Sequence, residues 1–180
     1  MATGTPGGMM EQEAQKIIDA ARQEQAPLLD EMRPPVDPNA RFRNASVLLL
    51  IYPRGDEDYM VFMRRTDTVV HHKGQISLPG GAQEATDPDA TFTALRETQE
   101  ELGVDPEWVE IAGSMPPVYA RVSSFLITPV VGRLKPGASP MAFQPNPDEV
   151  AEVIEVPMSV LRDPETHQTR PFTHEGVTYN

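Results

Sequence analysis

Gly80–Val104, GGAQEATDPDATFTALRETQEELGV, joins a glycine turn to a run of regularly spaced glutamates. Its second half predicts one helix. Asp87 suits the N-cap, Pro88 the first helical position, and Gly103 a left-handed exit. Laid out at about 100° per residue, Glu97, Glu100 and Glu101 share one face, with Phe92, Leu95 and Leu102 opposite. The apolar face is expected to bury, leaving the carboxylates to converge on a patch of their own. Like charges three and four residues apart destabilise a helix by roughly 0.2–0.5 kcal/mol per pair. A hard divalent cation turns that repulsion into binding, because Mg2+ and Mn2+ prefer oxygen ligands.

Acidic helix faces are also common as plain solvated surface, so the setting has to distinguish this one. Pro79-Gly80-Gly81 brings a turn up to the helix, where a backbone carbonyl can approach an ion closely. Arg96 stands beside the carboxylates, either as the i,i+4 partner of Glu100 or as a phosphate contact.

Arg96–Val104, RETQEELGV, resembles the second half of the Nudix box, the signature of a pyrophosphohydrolase family. Thr98 stands where that box usually carries a bulky aliphatic residue, and the run from Gly81 to Arg96 is one step longer than usual. The position of the family's upstream glutamate is taken by Pro88, flanked by Asp87 and Asp89. This lengthened, aspartate-bearing form is similar to the coenzyme A-cleaving branch. So are Phe62-Met63-Arg64-Arg65, His72-Lys73-Gly74-Gln75 and Leu78-Pro79-Gly80-Gly81 upstream. The resemblance runs from Ala45 to Leu161.

The resemblance implies an α/β fold, a Nudix-type α/β/α sandwich around a mixed β-sheet; periodicity alone yields only α/β or α+β. It implies Mg2+ or Mn2+ held by Glu97, Glu100 and Glu101, with a carbonyl from Gly80 or Gly81. Arg96 would orient a carboxylate. The implied reaction is hydrolysis of a pyrophosphate linkage in coenzyme A or acyl-CoA, giving 3′,5′-ADP and 4′-phosphopantetheine. Two alternatives stand beside it. One is a hydrolase of another nucleoside diphosphate derivative, such as ADP-ribose, NADH or a nucleotide sugar. The other is a Nudix-like binding module without catalysis, against which the three intact glutamates argue.

Outward from this stretch, the composition narrows the class. At 180 residues the chain is long enough for one domain with a real core, and it has no cysteine for disulfide or thiolate chemistry. No apolar run approaches the roughly 20 residues of a membrane span, and the N-terminus lacks a basic-then-apolar signal pattern. A cytoplasmic protein without a membrane partner is the expectation. A net charge of −12 and a pI near 4.7 argue against nucleic acid as partner. A small-molecule polyanion then needs local positive charge, from bound metal and from arginines.

Residues 1–40 read as a disordered start, an amphipathic helix over Glu11–Gln25 and a proline-rich linker. That helix would act as a cap on the domain or as a homodimer contact. Residues 41–180 read as the Nudix domain. Ala45–Tyr52 predicts a strand buried on both faces, and Tyr59–Arg64 its hairpin partner. Short strands are expected at Gln75–Leu78 and Trp108–Ala112, and a longer one at Phe125–Leu134, edged or bulged at Pro129. A strand from Val150 to Val156, a helix near Met158–Leu161, and a last hairpin over Thr169–Phe172 and Gly176–Thr178 close the chain.

Arg64, Arg65, Lys73 and Arg121 are the candidate substrate-phosphate contacts. His71 and His72 lack a third nitrogen or sulfur ligand nearby, which argues against zinc. Glu149, at the end of the proline-rich loop Lys135–Pro147, is the candidate extra metal ligand or general base. Glu152 and Glu155 suit that role less, since they sit inside the following strand.

Overall fold

The apolar run around Leu48 forms the middle of strand β1, Arg43–Arg54. This is seen in a computed structural model that describes residues 15, 42–67, 74–120, 123–135, 137–138, 143–166, 172–174 and 177–179. Of the expected N-terminal helix only Gln15 is described, as helical; the rest of the 1–40 segment lies outside the described residues, as do His71, His72, Lys73 and Arg121. Gly55 adopts a positive φ of 66° and turns the chain into β2, Glu57–Arg65, antiparallel to β1.

On the other edge of β1 lies β7, Phe125–Leu134, parallel to it from Arg43 opposite Phe125 to Ile51 opposite Arg133. β3 (Ile76–Ser77) and β8 (Val150–Pro157) flank β2, and β4 (Gly80–Ala82) pairs with the first half of β1. β5 (Val109–Ser114) and β6 (Val118–Ala120) share the outer edge of β7. The result is an eight-stranded mixed sheet.

Because side chains alternate along a strand, β1 feeds two cores. Leu48, Leu50 and Tyr52 pack with Val61, Met63 and Val130 beneath helix α1, Ala90–Leu102, through Ala94 and Leu102. Ile51 packs with Met60 and Val131 beneath helix α2, Met158–Arg162, through Met158. A helix on each face gives the expected α/β/α sandwich.

Pro129 departs from expectation. β7 is interior, and the proline falls in the interval between β6, paired as far as Ile127, and β5, paired from Val130. The irregularity in that ladder is carried by β5, between Ile111 and Gly113. The last hairpin pairs β9, Phe172–His174, with β10, Val177–Tyr179, slightly later than the sequence predicts.

Candidate active site

Asp89, not Asp87, caps α1: its carboxylate accepts the Phe92 amide at 2.8 Å. Asp87 is committed elsewhere. Buried two residues earlier, it accepts from Glu84 N at 2.9 Å, Thr93 Oγ1 at 3.0 Å, and Arg96 through Nε at 3.1 Å and Nη2 at 2.9 Å. The Arg96 guanidinium holds the Asp87 carboxyl down at about pH 2. The acid that steadies Arg96 is thus one step further away than the usual box spacing provides.

The buried face of α1 is only partly the predicted one: Leu102 is buried and Leu95 packs against the core, as expected, but Phe92 does not. Thr93, Ala94, Thr98, Glu101 and Leu102 are buried, whereas Phe92 is 47% exposed. Glu101 sits at the centre of that face, 1% exposed, instead of sharing an open patch with Glu100. Thr98 fits where an aliphatic residue was expected because its hydroxyl donates to Ala94 O at 2.6 Å, satisfying itself within the helix.

The Glu101 carboxylate accepts Gly80 N on Oε2 at 2.9 Å and Arg65 Nη1 on Oε1 at 3.2 Å. Burial nevertheless pushes its pKa up to about 8, reinforced by Glu97 and Glu149 and opposed by the Gly80 and Arg65 bonds. Burial raises Glu97 as well, against the pull of Arg96, whose Nη2 lies 2.9 Å from Glu97 Oε1. Gly81 abuts this carboxylate: a Cβ there would overlap it. Arg96 also reaches Glu100 at 3.1 Å and Ala82 O at 3.2 Å, so it bridges several acceptors and is held all the more firmly charged. Glu100 itself is half exposed and stands outside the pocket lining.

Glu149 is delivered by a loop docked on the end of α1. Gln144 N donates to Leu102 O at 2.8 Å and Asn146 N to Glu101 O at 2.9 Å, satisfying carbonyls that every helix end leaves open. Gly103, with φ 69°, permits this approach, since a Cβ there would come within 2.8 Å of Gln144 Cβ. Glu149 then faces Glu97 and Glu101 across a pocket of about 730 Å³ that Gly80 and Gly81 also line. The strand glutamates are engaged away from it: Glu155 accepts Tyr52 OH at 2.6 Å and Arg54 Nη1 at 2.7 Å.

Arg64 is a correction. It pairs with Glu152 at 3.1 Å on the exposed side of the sheet and takes no part in lining the pocket, because successive residues of β2 face opposite ways. Arg65 does line it, with its Nε buried and unbonded, as is Ser77 Oγ nearby. Arg43 and Phe125 line the pocket too, and sequence reasoning missed both; only their alternation with Ala45, Val47 and Ile127 along β1 and β7 could have found them.

Among the described residues the donors fit a hard divalent cation, being carboxylates and backbone carbonyls without sulfur or imidazole. Among the described residues no three acidic or histidine side chains already form a closed ligand cluster. Each carboxylate is instead held by a protein donor, Glu97 by Arg96, Glu101 by Arg65 and Gly80, and Glu149 by Asn146 at 3.4 Å.

The family model described as NUDIX domain matches residues 42–175. The peroxisomal coenzyme A diphosphatase NUDT7 of Mus musculus is 38% identical over 131 residues, 73% of this chain and 54% of that one. The uncharacterized Nudix hydrolase NudL of Pectobacterium atrosepticum is 40% identical over 128 residues, 71% of this chain and 64% of that one. The chain thus spans between about half and two thirds of the length of these relatives. Among solved structures, a Nudix hydrolase from M. smegmatis, RenU, aligns with a TM-score of 0.53 at 24% identity, covering 65% of this chain and 71% of that one. The NUDIX domain of Shewanella oneidensis NrtR, complexed with ADP ribose, aligns at 0.51 and 20% identity, covering 77% and 88%. These likenesses show the fold.

Proposed function

This chain belongs to the Nudix family, and from that membership we propose that it hydrolyses the pyrophosphate linkage of coenzyme A or an acyl-CoA with Mg2+ or Mn2+, releasing 3′,5′-ADP and 4′-phosphopantetheine. The observation that carries the reading is the gathering of Glu97, Glu101 and Glu149 with Gly80 and Gly81 in one pocket. The likeness to the mouse coenzyme A diphosphatase supports the substrate class.

Glu97 and Glu101 would hold the metal, with Glu100 at the margin and a Gly80 or Gly81 carbonyl completing the set. When bound, the ion supplies charge neutralisation at the phosphates and a lowered pKa for the attacking water. The chain's own residues do the rest. Arg96, anchored on Asp87, fixes where Glu97 points. Gly81 leaves Glu97 the room it occupies. Glu149, on a loop docked to the helix end, would accept the water's proton, the box glutamates being committed to the ion.

The test is a substrate panel of coenzyme A, acyl-CoA, ADP-ribose and NADH with Mg2+, Mn2+ or EDTA, scored by product identity. The expected products are 3′,5′-ADP and 4′-phosphopantetheine, with activity abolished by EDTA. Efficient cleavage of ADP-ribose with none of coenzyme A would replace the substrate; activity undiminished in EDTA would remove the metal. A homodimer and a cytoplasmic setting belong to the same proposal, and light scattering and cell fractionation check them.

A further inference from the structure

We infer that Arg43, laid on the ring of Phe125, is the specificity-determining contact for a second phosphate on the nucleoside part of the substrate, the 3′-phosphate in the case of coenzyme A. The inference rests on the coenzyme A reading above and deepens it. The chain carries a net charge of −12, so any anion it binds needs a cation at close range. Among the described residues that line the pocket there are two, Arg43 and Arg65. Arg65 is held against the buried Glu101 at 3.2 Å. Arg43 has no carboxylate partner among the described residues; its guanidinium carbon lies 4.3 Å from the centre of the Phe125 ring.

The pair is built, not accidental. β1 and β7 run parallel with Arg43 opposite Phe125, Ala45 opposite Ile127 and Val47 opposite Pro129. These side chains form two neighbouring columns, apolar inward and cationic at the rim. The turn into β7 closes on Arg43 itself: Ser124 O accepts Arg43 N at 3.1 Å, and Ser124 adopts a positive φ of 54°, alone among the described non-glycine residues. A guanidinium stacked on a ring keeps its in-plane N–H groups free, and that fork matches two phosphate oxygens.

The position fits as well. Gly81 pairs with Ser46, three residues from Arg43, which puts Arg43 roughly 10 Å along the strand from the Gly-Gly turn. A ribose bridges the gap between a diphosphate held at the glutamates and a phosphate on its other side. The apolar columns of Ala45, Val47 and Ile127 lie between, suited to the nucleoside.

The experiment measures calorimetric binding of 3′,5′-ADP and of 5′-AMP to the wild-type chain, Arg43→Met and Arg43→Lys, with thermal unfolding as a check on folding. Charge-assisted phosphate contacts of this kind lead to an expected wild-type preference for 3′,5′-ADP on the order of tenfold to a hundredfold. Arg43→Met is expected to abolish the preference while 5′-AMP binding stays within about twofold, and Arg43→Lys to keep only part of it. The ratio of kcat/KM between coenzyme A and dephospho-coenzyme A is expected to fall by the same factor. No preference in the wild type, or an equal loss of both ligands in Arg43→Met, overturns the inference. A chain that prefers 3′,5′-ADP through Arg43 yet leaves coenzyme A intact upholds the inference and removes the hydrolase reading. Cleavage of both coenzymes at equal efficiency does the reverse.

Discussion

Glu101 is a carboxylate 1% exposed, with Glu97 and Glu149 as neighbours and Gly80 N and Arg65 as its donors. Its folded pKa near 8 lies above the ordinary 4.5, so folding favours the protonated form. In metal-free protein the associated stability is complete below about pH 4.5 and is lost as pH rises towards 8. Melting curves in EDTA are expected to show stability declining over that interval, by at most about 1.4 kcal/mol per pH unit for one proton. Glu101→Gln flattens the slope. A wild-type slope no steeper than that of the variant sinks the account. Asp87 carries the opposite sign: its depressed pKa adds stability above the ordinary carboxylate range, lost only as pH falls towards 2. The sequence showed both acids but not this contrast, because it arises from what each touches. Arg96 grips Asp87 from nine residues on, a pairing with no helical periodicity to betray it.

At the scale of the element, the helix was legible and its orientation was not. The helix itself and its glycine exit follow from local rules. Which face lies down is decided by the sheet, and the packing of Ala94, Thr98 and Leu102 places Glu101 beneath Gly80. Asp89 displaced Asp87 as cap for the same reason, since the loop needed Asp87 for Arg96. The Gly-Gly turn is the other half of this element. Gly80, at φ 147°, would meet Ser46 O and Val47 with any side chain, and Gly81 would push on Glu97. Gly81→Ala is therefore expected to keep the fold and displace one carboxylate. Since misplacing a reacting group by about 1 Å costs on the order of a hundredfold in rate, kcat should drop by that order with melting temperature little changed. Unaltered kcat would show that Glu97 has freedom to yield.

For the whole molecule, the sheet was read well where a strand is apolar throughout, as in β1, and where turns punctuate it, as between β1 and β2. The parallel pairing of β1 with β7 was out of reach, since 82 residues separate Ser46 from the Thr128 carbonyl it bonds. Arg43 and Phe125 were missed with it. Glu149 was a candidate from its loop position and from the family resemblance, and its surroundings now separate it from Glu152, paired with Arg64, and from Glu155, paired with Tyr52 and Arg54. Glu149→Gln is expected to lower kcat by about a hundredfold to ten-thousandfold and to remove the acidic limb of the pH–rate profile, with KM little changed. Glu152→Gln is expected to leave both intact. The reverse pattern would hand the role to the strand.

The hydrogen bonds from Gln144 and Asn146 to the last carbonyls of α1 have a kinetic consequence. Neither amide can open to solvent without freeing a helix-end carbonyl, so the loop and the final helical turn form one cooperative opening unit. Amide protons of Gln144, Asn146 and Gly103, whose N–H bonds Gln99 O, are then expected to exchange with deuterium at a common rate. Glu101 and Glu149, far apart in the chain, would be assembled and dismantled in a single event.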